Sequence, residues 1–138
     1  MIIADTNVVS EMMREAPAPN VLAWAQGLGP AELTVCVVTV EEIERGLGRL
    51  PEGRRRDGLT SRWRAIVDQV GQRIASYDLS AARATAELLA RCESIGRTLS
   101  LADAQIAGIC LAGGHRLATR NVRDFQPIAG LSLTDPFA

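Results

Sequence analysis

Lysine is absent from this chain: all 15 basic side chains are arginine, set against 16 acidic ones, for a formal charge of −1. So even a balance excludes a generally basic nucleic-acid binder. Aromatic residues are scarce at 4%, so the core is built from Leu, Ile, Val and Ala. Cys36, Cys92 and Cys110 are odd in number, far apart and set among apolar neighbours. That excludes a disulfide framework or a cysteine-spaced metal site and predicts buried, reduced thiols. No apolar run approaches the roughly 20 residues that cross a bilayer, and Asp5 interrupts the opening apolar segment before it reads as a signal sequence. The expectation is a soluble, cytoplasmic protein with no membrane association.

What is present is a regular alternation of short apolar segments with helical patterns. Segments 1–4, 33–38, 74–77, 115–119 and 131–134 read as strands. Helical spacing marks 8–14, 20–24, a helix from a Thr39 cap to about Arg49, and 58–72. Two more run from a Ser80 cap to Gly96 and from a Ser100 cap to Gly113-Gly114. Strands alternating with helices predict an α/β fold, with a four- to five-stranded parallel sheet covered on both faces. The 138 residues suit one domain over 1–138, large enough to fold without a staple. Trp24 and Trp63 read as core or interface anchors, and His115 as a surface residue at a strand start rather than a general base.

Charge is unevenly placed. Eight arginines (45, 49, 54, 55, 56, 62, 64 and 73) face only Glu52, Asp57 and Asp68 in the same stretch. Two readings stand: a patch that contacts phosphates, or a solvated helix face with Arg54-Arg55-Arg56 in an exposed loop.

Acidic and amide residues recur just past strand segments or at helix starts. Asp5 follows Ile2-Ile-Ala, Glu42 follows the 33–40 segment, Asp103 lies in Ser100-Leu-Ala-Asp, and Asn121 with Asp124 follows Arg116-Leu-Ala-Thr-Arg. Each has a plain alternative as a helix cap or a dipole partner. In an open parallel sheet, however, such positions meet at the carboxyl ends of the strands, where ligands bind. Crowded carboxylates call for a cation, and hard oxygen donors suit Mg²⁺ or Mn²⁺. Gly46, one turn beyond Glu42 on the same stripe, costs roughly 1 kcal/mol in a helix interior and leaves room beside the carboxylate.

Taken together, these segments resemble the PIN-domain family, specifically VapC toxins and their FitB-like relatives. Ile2-Ile-Ala-Asp-Thr-Asn7, Thr39-Val-Glu-Glu-Ile-Glu-Arg-Gly46, Leu99-Ser-Leu-Ala-Asp-Ala-Gln-Ile-Ala107 and Leu117-Ala-Thr-Arg-Asn-Val-Arg-Asp-Phe125 are similar to the four family signatures, in order. Thr134-Asp-Pro-Phe137 resembles the terminal strand exit. The resemblance implies a single PIN-like domain, a three-layer α/β/α sandwich. It further implies a Mg²⁺- or Mn²⁺-dependent endoribonuclease, the toxin of a type II toxin–antitoxin pair. Asp5, Glu42 and Asp103 would be catalytic and hold the metal, with Asn121 or Asp124 as the fourth position and Thr6 and Thr119 as supporting hydroxyls. Many relatives carry an acid where Asn121 stands, and an amide there adds no negative charge toward a second metal. Implied partners are an RNA substrate, a second copy in a homodimer, and a VapB-like antitoxin whose C-terminal segment enters the pocket. The alternative is a non-catalytic PIN-like binding module. Phosphoacceptor α/β domains also place an Asp after the first strand, but they resemble sequences with an essential lysine, which this chain lacks.

Overall fold

The computed structural model describes all residues, 1–138. Four parallel strands form one sheet in the order β2-β1-β3-β4: β1 Ile2–Ala4, β2 Leu33–Thr34, β3 Arg116–Ala118 and β4 Leu133–Thr134. The register pairs Ile3 with Leu117 and Ala4 with Ala118 across the two central strands. Parallel neighbours need crossover connections, and helices supply them. Seven are present: α1 Thr6–Met12, α2 Pro19–Gln26, α3 Val37–Arg49, α4 Arg54–Val70, α5 Leu79–Ser94, α6 Leu101–Gly113 and α7 Val122–Phe125.

Alternation along the short strands sorts side chains to two cores. Ile3 and Leu117 enter one, with Leu88 of α5, Ile106, Ile109 and Cys110 of α6, and Phe125. Ala4 enters the other, with Val8, Val9, Ile43, Trp63 and Val70 from α1, α3 and α4. The expected α/β/α sandwich and its parallel sheet of at least four strands are thus observed. In the first core α5 and α6 lie very close. Gly108 makes this possible, because a Cβ there would collide with Thr85 Oγ1 and the Ala81 carbonyl.

Several local expectations are corrected. The 74–77 segment is not a fifth strand; only Ala75 pairs, as an isolated parallel bridge to Cys36, because the chain reaches the sheet edge from a 3-10 turn at Gly71–Arg73. Thr39 does not cap α3. The helix begins at Val37 after Cys36, a residue whose extended backbone is still paired to the sheet edge. Asp78, not Ser80, caps α5, its carboxylate accepting from Ala81 N at 2.9 Å. Ser100 does cap α6, accepting from Asp103 N at 3.1 Å, and Gly114 ends that helix in the left-handed conformation. Arg54-Arg55-Arg56 forms the first turn of α4, not a loop. Trp63 is buried, Trp24 is half-buried in the same core, and Cys92 is only half-buried, unlike the buried Cys36 and Cys110.

Candidate active site

Asp5 leaves β1 directly beside the end of β3. Its backbone N–H donates to the Ala118 carbonyl at 2.9 Å, fixing it at the carboxyl edge of the two central strands. Both carboxylate oxygens are engaged: Oδ1 accepts from Val8 N at 2.9 Å and Oδ2 from Thr119 Oγ1 at 2.6 Å. Asp5 therefore is the helix cap that its position suggested, yet capping uses only one oxygen. Thr119, itself fully buried, accepts from Asn121 N at 2.9 Å. This chain of bonds locks the strand-end carboxylate in one orientation.

The next carboxylate is held in the same way. Thr6, in the first turn of α1, donates to Glu42 Oε1 at 2.5 Å, and its hydroxyl lies 3.4 Å from that of Thr39. Thr39 is fully buried and stands 3.9 Å from Cys36 Sγ. Read from sequence as a cap, Thr39 instead underlies the site. Its spacing of three from Glu42 was the available signal, since that spacing puts two side chains on one helix face. Gly46 meets open space one turn on: a Cβ there would touch nothing within 4 Å.

Asp103 enters from the other side, half-buried in the first turn of α6. Burial raises its pKa above the ordinary aspartate range; the Ser100 hydroxyl opposes this, while Glu42 and Asp124 add to it by like-charge repulsion. Asp5 is also raised, first by burial and further by Asp103, against the lowering effect of the Thr119 and Val8 hydrogen bonds. Asp103 thus feels three acids from three other elements: Asp5 after β1, Glu42 on α3 and Asp124 on α7. Asn121 precedes α7, and its side chain caps nothing.

The donor set is oxygen only. His115 stands at the opposite, amino end of β3, near the N-terminal amine, and its pKa is lowered by burial and that charge. The two buried thiols are inert: burial raises Cys36 and pushes Cys110 up to about 12, far from a reactive thiolate. Carboxylates that raise one another's pKa suit a hard divalent cation in donor chemistry. As their side chains stand, no three acids are drawn together tightly enough to close on an ion, as expected of like charges without a counter-ion between them.

The PIN-domain family model matches residues 2–131, from the strand that delivers Asp5 past the helix that carries Asp124. The chain is a PIN domain. It is similar over 99% of its length to a plasmid stability protein, StbB, of Pseudomonas syringae pv. tomato, at 36% identity and covering 99% of that protein. A VapC ribonuclease of Sinorhizobium fredii is 34% identical, with 99% of this chain and 98% of the relative covered. Among solved structures, the FitAcB complex of Neisseria gonorrhoeae contains a chain that superposes with a TM-score of 0.90 at 28% identity, covering 99% of both. This PIN domain has no helix long and apolar enough to cross a membrane.

Proposed function

We propose that this PIN domain is a divalent-metal-dependent endoribonuclease, the toxin of a VapBC-type toxin–antitoxin pair. The observation that carries the reading is that Asp5 ends β1 at the carboxyl edge of the sheet and is repelled by Asp103, which is repelled in turn by Glu42 and Asp124 from two further elements. Support comes from the VapC ribonuclease relative and from the likeness to the FitAcB complex.

In this reading Asp5, Glu42 and Asp103 hold Mg²⁺ or Mn²⁺. Asp124 is the better fourth position, because it supplies a charge that Asn121 does not. When bound, the cation stabilises charge developing on the phosphate and acidifies the attacking water. The chain's own contribution is orientation. Thr119 fixes Asp5 and Thr6 fixes Glu42, as outer groups typically aim metal-binding carboxylates. Burial of Asp5 and Asp103 limits competition from bulk water and strengthens the electrostatics of the pocket.

The partners follow from the same family relationship: a VapB-like antitoxin, a second toxin copy, and RNA. The test is direct. Protein purified free of any antitoxin cleaves RNA with Mg²⁺ or Mn²⁺, is inactive in EDTA, and is inhibited by the product of the neighbouring gene. Cleavage that persists in Asp5→Ala or Asp103→Ala would rule out this site. Absence of Mn²⁺ binding and of cleavage together would favour a non-catalytic binding module.

A further inference from the structure

An acidic pocket repels the polyanion that this reading brings to it, so some cation beside it must compensate. Most arginines with a hydrogen bond in the fold are committed to main-chain carbonyls: Arg62 to Met13, Arg56 to Leu50, Arg73 to Pro30 and Arg97 to Arg123. Arg120 is not. It is exposed, forms no ion pair and donates to no group in the chain, yet it follows Thr119, the residue that grips Asp5.

Its guanidinium carbon lies 4.6 Å from the centroid of the Phe137 ring, well inside the roughly 6 Å range of a cation–π contact. Phe137 is itself tied down. Its N–H donates to Asp135 Oδ1 at 2.9 Å and its carbonyl accepts from Asn20 Nδ2 at 3.1 Å. The nearby carboxylate, Glu11, attracts Arg120 only at longer range: its Oε2 accepts from Ala18 N at 2.9 Å and Arg14 Nη1 at 3.0 Å, and it forms no hydrogen bond with Arg120. What results is a guanidinium with one face supported by an anchored ring and its N–H edge unclaimed. A planar fork of this kind suits two phosphate oxygens at once.

We propose that Arg120, supported on Phe137, grips an RNA phosphate flanking the one that is cleaved. The proposal rests on the ribonuclease reading of the pocket and names its substrate-binding residue. Arg120 holds the strand at the rim of the site, on the side of Glu11 and Phe137, and takes no part in the chemistry at the reacting phosphate.

The experiment compares Arg120→Gln and Arg120→Lys, each measured two ways. In an Asp103→Asn background, binding of a short fluorescein-labelled single-stranded RNA of mixed sequence is followed by anisotropy across a salt series. Arg120→Gln is expected to weaken binding about tenfold and to flatten the log-affinity against log-salt slope by about 0.7, the value of one single-strand phosphate contact. Arg120→Lys keeps the slope, because it keeps the charge, but loses part of the affinity. With Asp103 intact, Arg120→Gln raises KM about tenfold and leaves kcat within about twofold. An unchanged salt slope in Arg120→Gln, or a fall in kcat and thermal stability without a KM effect, would overturn the assignment and leave Arg120 as a clamp on the C-terminal segment. If instead the wild-type protein cleaves no RNA and the Asp103→Asn parent binds none, it is the ribonuclease reading that has failed.

Discussion

The two halves of the acidic pocket are built differently. On the α1–α3 side, Asp5 and Glu42 are each bonded to a threonine hydroxyl from a separate element, and Asp5 is buried at 4% exposure. On the α6–α7 side, Asp103 is half-buried and Asp124 exposed, placed in first helical turns rather than by bonds from other elements. The first half is fixed by the fold whether or not a cation is present. The second holds its charges near the first at an electrostatic cost, and under the proposed function it is the half that would gain most from a bound cation. The strand-end site thus divides into one half held by hydroxyls from other elements and one half whose charges are held only by their own helices.

The largest effects come from breaking either half outright. Asp5→Asn and Asp103→Asn should each lower RNA cleavage by about a thousandfold or more, the scale of several kcal/mol that a correctly held metal contributes. Circular dichroism should show both variants folded. A loss confined to Asp5 would break the comparison, since it would leave the α6 side without a role.

Thr119→Val sharpens it. Removing the hydroxyl leaves a buried carboxylate oxygen and the Asn121 N–H unpaired, at a cost of about 1–3 kcal/mol in stability and about 10–100-fold in metal affinity or activity. Thr6→Val, on the half-exposed Glu42, should cost less on both counts. Chemical denaturation and Mn²⁺ titration of the two variants test the order, and the reverse order would contradict it.

Much of this was legible in the sequence, though unevenly. An Asp after an apolar tetrapeptide and an Asp three residues after a capping serine declare their places, because local patterns set both. The Asp5–Thr119 bond joins residues 114 apart and depends on Ala4 pairing with Ala118, which no local pattern reveals. The start of α3 has a related cause: Cys36 bridges to Ala75, a tertiary contact that overrides Thr39, a good capping residue. At the start of α5 two competent caps compete, and Asp78 wins over Ser80 by lying outside the first turn. That Asp124 rather than only Asn121 faces Asp103 follows from how the short α7 is seated, again beyond the reach of spacing.

The pH dependence of stability probes the charge stored in both halves. Asp5 and Asp103 are raised chiefly by burial, so the folded state binds more protons at these groups than the unfolded chain does. Their contribution to metal-free stability is therefore greatest below the ordinary aspartate pKa of about 3.9 and is lost as pH rises through the folded values. Asp103→Asn removes one such charge. In EDTA at neutral pH it should raise Tm by about 2–4 °C, as roughly 1 kcal/mol does in a domain near this size, with the gain shrinking toward pH 4. A lowered Tm at neutral pH would show that Asp103 is not under repulsion.

The smallest effect belongs to Gly46. Its Cβ would meet open space, so Gly46→Ala should stabilise α3 by about 1 kcal/mol in thermal melts. If that space beside Glu42 is a substrate path, KM for RNA rises modestly while the stability gain remains.

The central claim is that one cation is shared between the two halves. Calorimetric titration of Mn²⁺ into antitoxin-free protein tests it most directly. Saturable binding in the wild type that is lost in both Asp5→Asn and Asp103→Asn is the expected result. Undiminished binding in either variant would mean that the two halves do not share an ion, and would contradict the account.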